Sequence, residues 1–279
     1  MRLAIPWLTM AETTTPLTPL FDHRQAIAHL SKVDRRLARL IEKILAKSIE
    51  FRLNIDEEQT PYESLLRAIV FQSISTKAAR VIFERIKLLG VSRRATAGPT
   101  LKLEPSAVPT ATTRCPTPQE LLRVRRPALR KAGLSHAKIA AVRDLAQKTI
   151  EGVVPTLDEA HTMSDQELVD RLISVRGVGA WTVEMFLIFR LGRPDVLPIH
   201  DYGVQKGFAI TYGKKAIPKP RELAEFGERW RPYRTVASWY MWRAIDHAGK
   251  SARKITKSAP AKKKRKGKLI APNRKAPTA

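Results

Sequence analysis

The segment that decides the fold of this chain is Leu172–Phe186, LISVRGVGAWTVEMF. It predicts an amphipathic helix that ends at Val175, a turn at Gly177-Val178-Gly179, and a second, apolar helix that begins almost at once. The two glycines let the backbone adopt positive φ and approach a neighbour closely. The first N–H groups of the second helix then point outward, beside the positive end of its dipole. Such an arrangement binds phosphate.

The charge of the chain favours that interpretation over a plain helix connector, which is the commoner meaning of an isolated Gly-x-Gly turn. Lys and Arg number 51 against 26 Asp and Glu, so the net charge is +25 and the pI is near 10.6. This excess indicates a polyanionic partner. Residues 251–279 are rich in Lys and Arg and contain no acid, but the remainder of the chain is basic without them.

Helical periodicity recurs along most of the chain, with apolar residues at three- and four-residue steps. The periodic segments are Arg24–Lys47, Tyr62–Phe71, Thr76–Leu89, His136–Ile150, Asp165–Val175, Ala180–Leu191 and Ala237–His247. No run alternates apolar and polar residues as a half-buried strand does. The sequence therefore predicts an all-α fold.

Segments of different composition flank and interrupt these helices. Residues 1–20 are expected to be a flexible N-terminus without a signal peptide, and residues 251–279 a disordered basic tail. Residues 91–118 are crowded with Pro, Thr and Ala. They are expected to be irregular, either as a mobile insertion or as the crossing between two helical lobes. The globular domain is therefore expected at residues 21–250, and no apolar run approaches the ~20 residues that span a bilayer.

The loop after the hairpin, RPDVLPIHDYGVQKGF at 193–208, reaches His200-Asp201 directly before another helical run. An Asp before a helix is most often an N-cap, and that role alone would explain Asp201. It does not explain why a loop braced by prolines returns the chain from a phosphate-binding hairpin to one carboxylate. Asp201 is therefore a candidate catalytic residue.

Residues 62–246 resemble the helix-hairpin-helix DNA glycosylase superfamily, specifically the 3-methyladenine DNA glycosylase II type in its compact, all-helical form. The matching stretches are VRGVGAWTVEM, RPDVLPIHDYGVQKGF, TPQELLRVRRPALRKAGLSHAKIAAVRDLA and LLRAIVFQSISTKAA. The resemblance implies two helical lobes with the active-site cleft between them. It also implies a base excision repair enzyme that removes alkylated bases, of the 3-methyladenine and 7-methylguanine class, from double-stranded DNA. Asp201 stands at the position of the catalytic aspartate.

The chemistry suits a single carboxylate. The bond from a sugar to a base breaks through an oxocarbenium-like state, which a nearby negative charge stabilises. A cationic methylated base is already a good leaving group, so no general acid is required. The flipped, electron-poor base is held by aromatic faces. The resemblance assigns this role to Trp242, with Trp181 contacting or supporting the pocket, Met185 in the pocket wall and His200 in a supporting role.

The resemblance also implies which residues contact DNA. The hairpin contributes one set, and the segment whose side chain fills the gap left by the flipped base contributes another, although Ser73 is small for that task. These residues are Gly177, Val178, Gly179, Thr182, Gln72 and Ser73. A Na⁺ or K⁺ ion is expected on the hairpin backbone carbonyls of Ile173, Val175 and Val178. No cofactor is expected to be required.

Two substitutions narrow the activity further. Bifunctional relatives carry a lysine two residues after the second hairpin glycine, where this chain has Trp181, so hydrolysis without strand cleavage is expected. The single Cys115 excludes the four-cysteine iron-sulfur cluster of the endonuclease-like branch. The protein is expected to be a monomer that binds no membrane. It is expected in a bacterial cytoplasm at the nucleoid or in a eukaryotic nucleus, since AKKKRKGK at 261–268 fits either setting.

Two alternative functions remain open at this point. On the same scaffold the enzyme could remove another damaged base, such as hypoxanthine, an etheno adduct or an oxidised purine, because pocket shape is not visible in the sequence. A non-catalytic DNA-binding protein would use the hairpin as a phosphate clamp. Asp201 together with Trp242 counts against the clamp, which needs neither.

Overall fold

A computed structural model describes residues 21–53, 59–91 and 114–248, and its elements are all helices. They are α1 (His23–Val33), α2 (Arg35–Leu45), α3 (Pro61–Phe71), α4 (Thr76–Val91), α5 (Pro118–Arg123), α6 (Arg126–Ala132), α7 (His136–Ile150), α8 (Leu157–Thr162), α9 (Asp165–Leu172), α10 (Ala180–Phe189), α11 (Tyr202–Thr211), α12 (Pro220–Gly227), a 3₁₀ helix (Glu228–Trp230) and α13 (Arg234–Asp246). The all-α prediction is confirmed over these residues. The expectations for residues 1–20 and 251–279, and most of those for 91–118, lie outside the described residues.

The helices form two lobes, as predicted. In the first lobe α3 packs against α4, α7 and α10, α7 packs against α5 and α6, and α9 packs against α10. In the second lobe the N-terminal helices α1 and α2 pack against α13, which also crosses α11. The chain therefore leaves the second lobe after α2, builds the first lobe, and returns after α10. In the three described ranges, no helix combines the length and apolar character needed to cross a membrane.

The periodic segment 24–47 forms two helices because Asp34 breaks it. One carboxylate oxygen of Asp34 caps α2, accepting two backbone N–H groups of its first turn at 3.1 Å. The other accepts the Tyr212 hydroxyl at 2.5 Å and the Trp230 indole N–H at 3.0 Å. The break thus ties the first two helices to the C-terminal ones. Periodicity alone could not show it, since the apolar spacing continues across the break.

Four short helices, α5, α6, α8 and α12, were not predicted. They contain too few turns for a periodic apolar stripe to stand out. The sequence carries another signal for two of them, since Thr117 with Glu120 and Thr156 with Glu159 form capping boxes at the starts of α5 and α8. A Thr-x-x-Glu pattern is typical of a helix start.

The second lobe is closed by the close crossing of α11 and α13. A Cβ atom at Gly207 would lie 1.9 Å from the backbone oxygen of Met241, so only glycine permits this approach. The crossing brings the first turn of α11 beside the middle of α13. It therefore determines which side chains of α13 reach the residue before α11, which is Asp201.

Candidate active site

The hairpin joins α9 to α10, and its two glycines differ in conformation. α9 ends at Leu172, earlier than the predicted Val175, because the chain already turns there. Gly177 has φ +81, and a Cβ atom on it would lie 3.0 Å from the Ala141 Cβ. Gly179 has φ −108 and would meet nothing within 4 Å. The expectation of positive φ is therefore wrong for Gly179, where only the open space favours close approach of a ligand.

The start of α10 presents unpaired backbone donors. Among the described residues, no acceptor bonds the N–H groups of Gly179, Ala180 and Trp181. Gly179 and Ala180 are exposed, so these donors face outward at the positive end of the α10 dipole. The side chains of Val178 and Thr182 are both 5 % exposed. The Thr182 side chain packs inside in this conformation, and its contact with DNA stays a prediction.

The segment predicted to face the flipped-base gap is bonded to the hairpin. The Gln72 amide donates to the Gly177 carbonyl at 2.9 Å. The Lys138 ammonium donates to the carbonyls of Val70 at 2.6 Å and Gln72 at 2.7 Å, which fixes the end of α3. Beyond it, Ser73 is exposed with φ +58. Gln72, Ser73 and the hairpin glycines therefore lie together, as a shared DNA-binding role requires.

The hairpin carbonyls leave room for an ion. The Val175 carbonyl accepts the Val178 N–H at 3.0 Å, and among the described bonds the carbonyls of Ile173 and Val178 accept none. Free carbonyl oxygens are suitable ligands for a hard cation. The monovalent ion at these positions stays a prediction. Side chains offer no alternative in the described ranges, where no cluster of three or more His, Cys, Asp or Glu could hold a metal ion.

The loop that returns the chain to Asp201 is held by α13 and the turn before it. The Thr235 N–H donates to the Pro194 carbonyl at 2.9 Å, and the Thr235 hydroxyl accepts the Val196 N–H at 3.0 Å. Asp195 pairs with Arg231 at 2.5 Å and with Arg234 at 2.7 Å. These bonds make the loop a rigid support rather than a flexible connection.

Asp201 accepts three hydrogen bonds and is 6 % exposed. Its Oδ1 accepts the Val204 N–H at 2.7 Å, as an N-cap does, and also the Trp242 indole N–H at 2.8 Å. Its Oδ2 accepts the Trp181 indole N–H at 2.8 Å. Gly203 makes room for this set, because a Cβ atom there would lie 2.7 Å from the Trp242 ring and 2.9 Å from the Asp201 Oδ1. The carboxylate is therefore fixed in one orientation.

Two residues of the predicted base pocket are buried. The Trp242 ring is 2 % exposed and stacks on Phe189 with centroids 5.7 Å apart. Met185 is 0 % exposed, because α10 is mostly apolar and packs against both α3 and α9. In this conformation the Trp242 indole N–H holds Asp201, and the roles of Trp242 and Met185 in the base pocket stay predictions. Trp181 is partly exposed and His200 is exposed, so both can face a ligand.

The sequence interpretation missed Glu184, one helical turn after Trp181 on α10. Its Oε2 is buried and accepts no hydrogen bond from the described residues. Burial, with a further contribution from the negative charge of Asp201, raises the pKa of Glu184 to about 7. The signal was a lone acid in the apolar helix AWTVEMFLIF. The site therefore contains two neighbouring carboxyl groups rather than one.

Known proteins match the part of the chain that contains the hairpin and Asp201. A model of the HhH-GPD superfamily of base excision DNA repair proteins matches residues 66–232, which is more than half of the chain. The chain belongs to the HhH-GPD superfamily. It is 33% identical to DNA-3-methyladenine glycosylase 1 of Schizosaccharomyces pombe over 220 residues, covering 78% of this chain and 86% of that one.

Solved structures of the HhH-GPD superfamily share this fold. The S. pombe 3-methyladenine DNA glycosylase in complex with abasic DNA superposes with a TM-score of 0.65 at 33% identity, covering 80% of this chain and 98% of that chain. The DNA-3-methyladenine glycosidase of Bacillus halodurans also has a TM-score of 0.65, at 29% identity, covering 87% and 96%. The resemblance to 3-methyladenine DNA glycosylases inferred from the motifs is confirmed.

Proposed function

We propose that this HhH-GPD protein is a monofunctional DNA glycosylase that hydrolyses the N-glycosidic bond of alkylated bases, of the 3-methyladenine and 7-methylguanine class, in base excision repair. The observation that carries the proposal is the Asp201 carboxylate, held by two indole N–H groups and a helix N-terminus. A DNA clamp without catalysis has no use for a carboxylate oriented in this way.

DNA is held by the hairpin and by the end of α3. The free N–H groups at the start of α10 bind a phosphate of the damaged strand, and the open space at Gly179 lets that phosphate approach. Gln72, bonded to the Gly177 carbonyl, keeps Ser73 beside the gap left by the flipped base. A Na⁺ or K⁺ ion bound by the carbonyls of Ile173, Val175 and Val178 would add positive charge at the same phosphate.

The target base leaves the stack and enters the site beside Trp181, the partly exposed tryptophan next to Asp201. A cationic methylated purine is attracted to the electron-rich face of an indole. His200, exposed directly before Asp201, faces the same entrance and supports the bound nucleotide. The Trp242 ring does not contact the base in this arrangement.

The Asp201 carboxylate acts on the sugar. As the bond from C1′ to the base nitrogen lengthens, the electron pair moves to the base and positive charge develops on the sugar. Two unit charges ~4 Å apart at an effective dielectric of ~20 interact by about 4 kcal/mol, or roughly three decades in rate. Water then bonds to C1′, and the products are the free base and an abasic site.

Strand cleavage is not part of this reaction. A lyase needs an amine that attacks C1′, and the position of that amine is occupied here by Trp181. The only N–H group of its side chain, the indole N–H, is bonded to Asp201. The abasic site is therefore released intact for the next repair enzyme.

The partner is double-stranded DNA, a polyanion to which a chain of net charge +25 is attracted. The enzyme acts as a monomer, because a single chain supplies both the hairpin and the Asp201 carboxylate. It works where chromosomal DNA is, in a bacterial cytoplasm or a eukaryotic nucleus.

The test is incubation of the full-length protein with a duplex that carries one 7-methylguanine. Excision leaves an abasic site, and strand breaks then form only after hot alkali. Breaks without alkali would indicate a lyase, and no breaks in either sample would overturn the proposal. An undamaged duplex of the same sequence is the control.

A further inference from the structure

Glu184 has no task in the proposed reaction, although the charge of Asp201 acts on it. It follows Trp181 by one turn on α10, so the two side chains share a face of the helix, and the Trp181 indole bonds Asp201. A buried carboxyl oxygen without a donor loses the hydration it has in water. The Glu184 Oε2 is buried, and none of the described residues donates a hydrogen bond to it. A group kept at such a cost indicates a partner that arrives with the substrate.

The charge that acts on Glu184 comes from Asp201, at the N-terminus of α11. The charged side chains of α3 and α9, the helices packed against α10, are engaged elsewhere in caps, ion pairs, ring contacts and other hydrogen bonds. They are Glu63, Arg67, Asp165, Glu167, Asp170 and Arg171. No described cation therefore neutralises Glu184.

Two neighbouring carboxyl groups do not readily carry charge at the same time. Asp201 has three hydrogen-bond donors that stabilise its charge, and Glu184 has none on its buried oxygen. The proton of the pair therefore belongs on Glu184. One carboxylate beside one carboxylic acid is the pairing with which glycosidases divide the two roles of their reaction.

We propose that Glu184 is the acid of this site, which donates its proton to a ring nitrogen of the departing base. The proposal rests on the proposed glycosylase function. In the step, the Glu184 O–H bond breaks and the proton goes to the base, while the C1′–N bond breaks and its electron pair stays on the base. Water bonds to C1′ through its oxygen, and the proton that water loses returns to the Glu184 carboxylate. The sum is hydrolysis, with no further reactant.

An acid at this position matters for one class of substrate. A base that already carries a positive charge, such as 7-methylguanine, leaves as a neutral molecule. An uncharged damaged purine, such as hypoxanthine or ethenoadenine, leaves as an anion unless it is protonated. General acid catalysis typically contributes ~10²–10⁴-fold to a rate. Glu184 therefore extends the reaction of Asp201 from cationic to uncharged damaged purines.

The test compares single-turnover excision of hypoxanthine and of 7-methylguanine by the full-length wild type and by Glu184→Gln, which keeps the size of the side chain but cannot transfer a proton. Excision of hypoxanthine is expected to fall at least ~10-fold more than excision of 7-methylguanine. In the wild type, the rate of hypoxanthine excision divided by the rate of 7-methylguanine excision is expected to decrease as the pH rises through 7. In the variant this ratio is expected to stay constant. Glu42→Gln, at an exposed position on α2, is the matched control.

Each other outcome overturns the inference. Equal losses for both lesions would make Glu184 a packing residue. A wild type that removes 7-methylguanine but not hypoxanthine would refute the acid and leave the proposed function intact. A wild type that removes neither lesion would refute both. If Glu184→Gln melts well below the wild type, the pH dependence of the wild-type rate ratio decides alone, and a constant ratio refutes the acid.

Discussion

The indole N–H groups of Trp181 and Trp242 donate to opposite oxygens of the Asp201 carboxylate, each at 2.8 Å. The two tryptophans come from different helices, α10 and α13, and meet only because the return loop places Asp201 between them. Such bonds to a charged group are worth ~1.5–3 kcal/mol each. They fix the plane of the carboxylate before DNA binds, which is the preorganisation that electrostatic catalysis requires.

Replacing Asp201 by Asn removes the charge that faces the sugar. The Asn oxygen can still accept the Val204 N–H, but its amide NH₂ then faces an indole N–H, donor against donor. Excision of 7-methylguanine is expected to fall by roughly three decades, because ~4 kcal/mol of charge stabilisation is lost. Affinity for a duplex with an abasic analogue is expected to stay within a few-fold of the wild type. Substantial residual excision would show that the carboxylate only caps α11.

Replacing Gly203 by Ala tests the orientation of Asp201 without touching its chemistry. The added Cβ would lie 2.7 Å from the Trp242 ring and 2.9 Å from the Asp201 Oδ1, so the carboxylate and the ring must move apart. The single-turnover rate is expected to fall at least ~10-fold, which corresponds to ~1.4 kcal/mol of lost transition-state stabilisation. DNA affinity is expected to change little. An unchanged rate in a folded variant would mean that the Trp242 bond does not matter.

Changing Gly177 to Val is expected to affect stability, whereas changing Gly179 to Val is expected to affect DNA binding. Gly177→Val places a β-branched residue at φ +81 beside Ala141 and should lower the free energy of unfolding by about 1 kcal/mol or more. A Cβ atom at Gly179 would meet no protein atom within 4 Å, so Gly179→Val should melt close to the wild type, but its side chain obstructs the phosphate. Thermal melting paired with binding to an abasic-analogue duplex separates the two effects. Full affinity of Gly179→Val for this duplex would show that the hairpin is a plain helix connector and does not bind phosphate.

Deleting residues 251–279 should weaken nonspecific DNA binding and flatten its dependence on salt. Each phosphate contact that is lost removes about 0.9 from the slope of log affinity against log salt on duplex DNA. Turnover of a short lesion duplex at low salt is expected to change little, since the hairpin and Asp201 lie outside the tail. An equal loss of turnover under those conditions would place the tail in the active structure.

The pH dependence of stability reports on Glu184 without any substrate. Burial raises its pKa from 4.5 to about 7, so the folded state binds the proton more tightly than the unfolded chain does. Its contribution to stability is therefore complete below pH 4.5 and is lost as the pH rises to about 7. The Gln side chain of Glu184→Gln does not titrate, so the variant does not lose stability in this way. The melting temperature of the variant minus that of the wild type is expected to increase between pH 4.5 and 7 and to stay constant above pH 7.

A constant difference in melting temperature across that range would show that Glu184 titrates normally. Glu42→Gln, exposed on α2, supplies the comparison for a surface acid. Its melting temperature is expected to follow that of the wild type at every pH, which separates the effect of burial from the loss of a charge.

The sequence by itself determined the features that are local along the chain. The 3.6-residue periodicity predicts α3, α4, α7, α9, α10 and α13 to within a few residues, because each helix buries one stripe or is apolar throughout. The Gly177-Val178-Gly179 turn and the Asp201 cap are also local, since each needs only a few consecutive residues. For the same reason the superfamily could be predicted from short motifs, and Asp201 could be proposed as its catalytic residue.

Tertiary structure decided everything that depends on residues far apart in sequence. Trp242 lies 41 residues beyond Asp201, and only the α11–α13 crossing shows that its indole N–H bonds the Asp201 carboxylate. The break at Asp34 is explained by Tyr212 and Trp230, whose positions no periodicity contains. Glu184 is marked in the sequence only as the lone acid of the apolar helix α10. It becomes an acid only because folding removes water from it and brings the Asp201 carboxylate beside it. Both effects depend on residues from several helices, so they are decided by the whole fold.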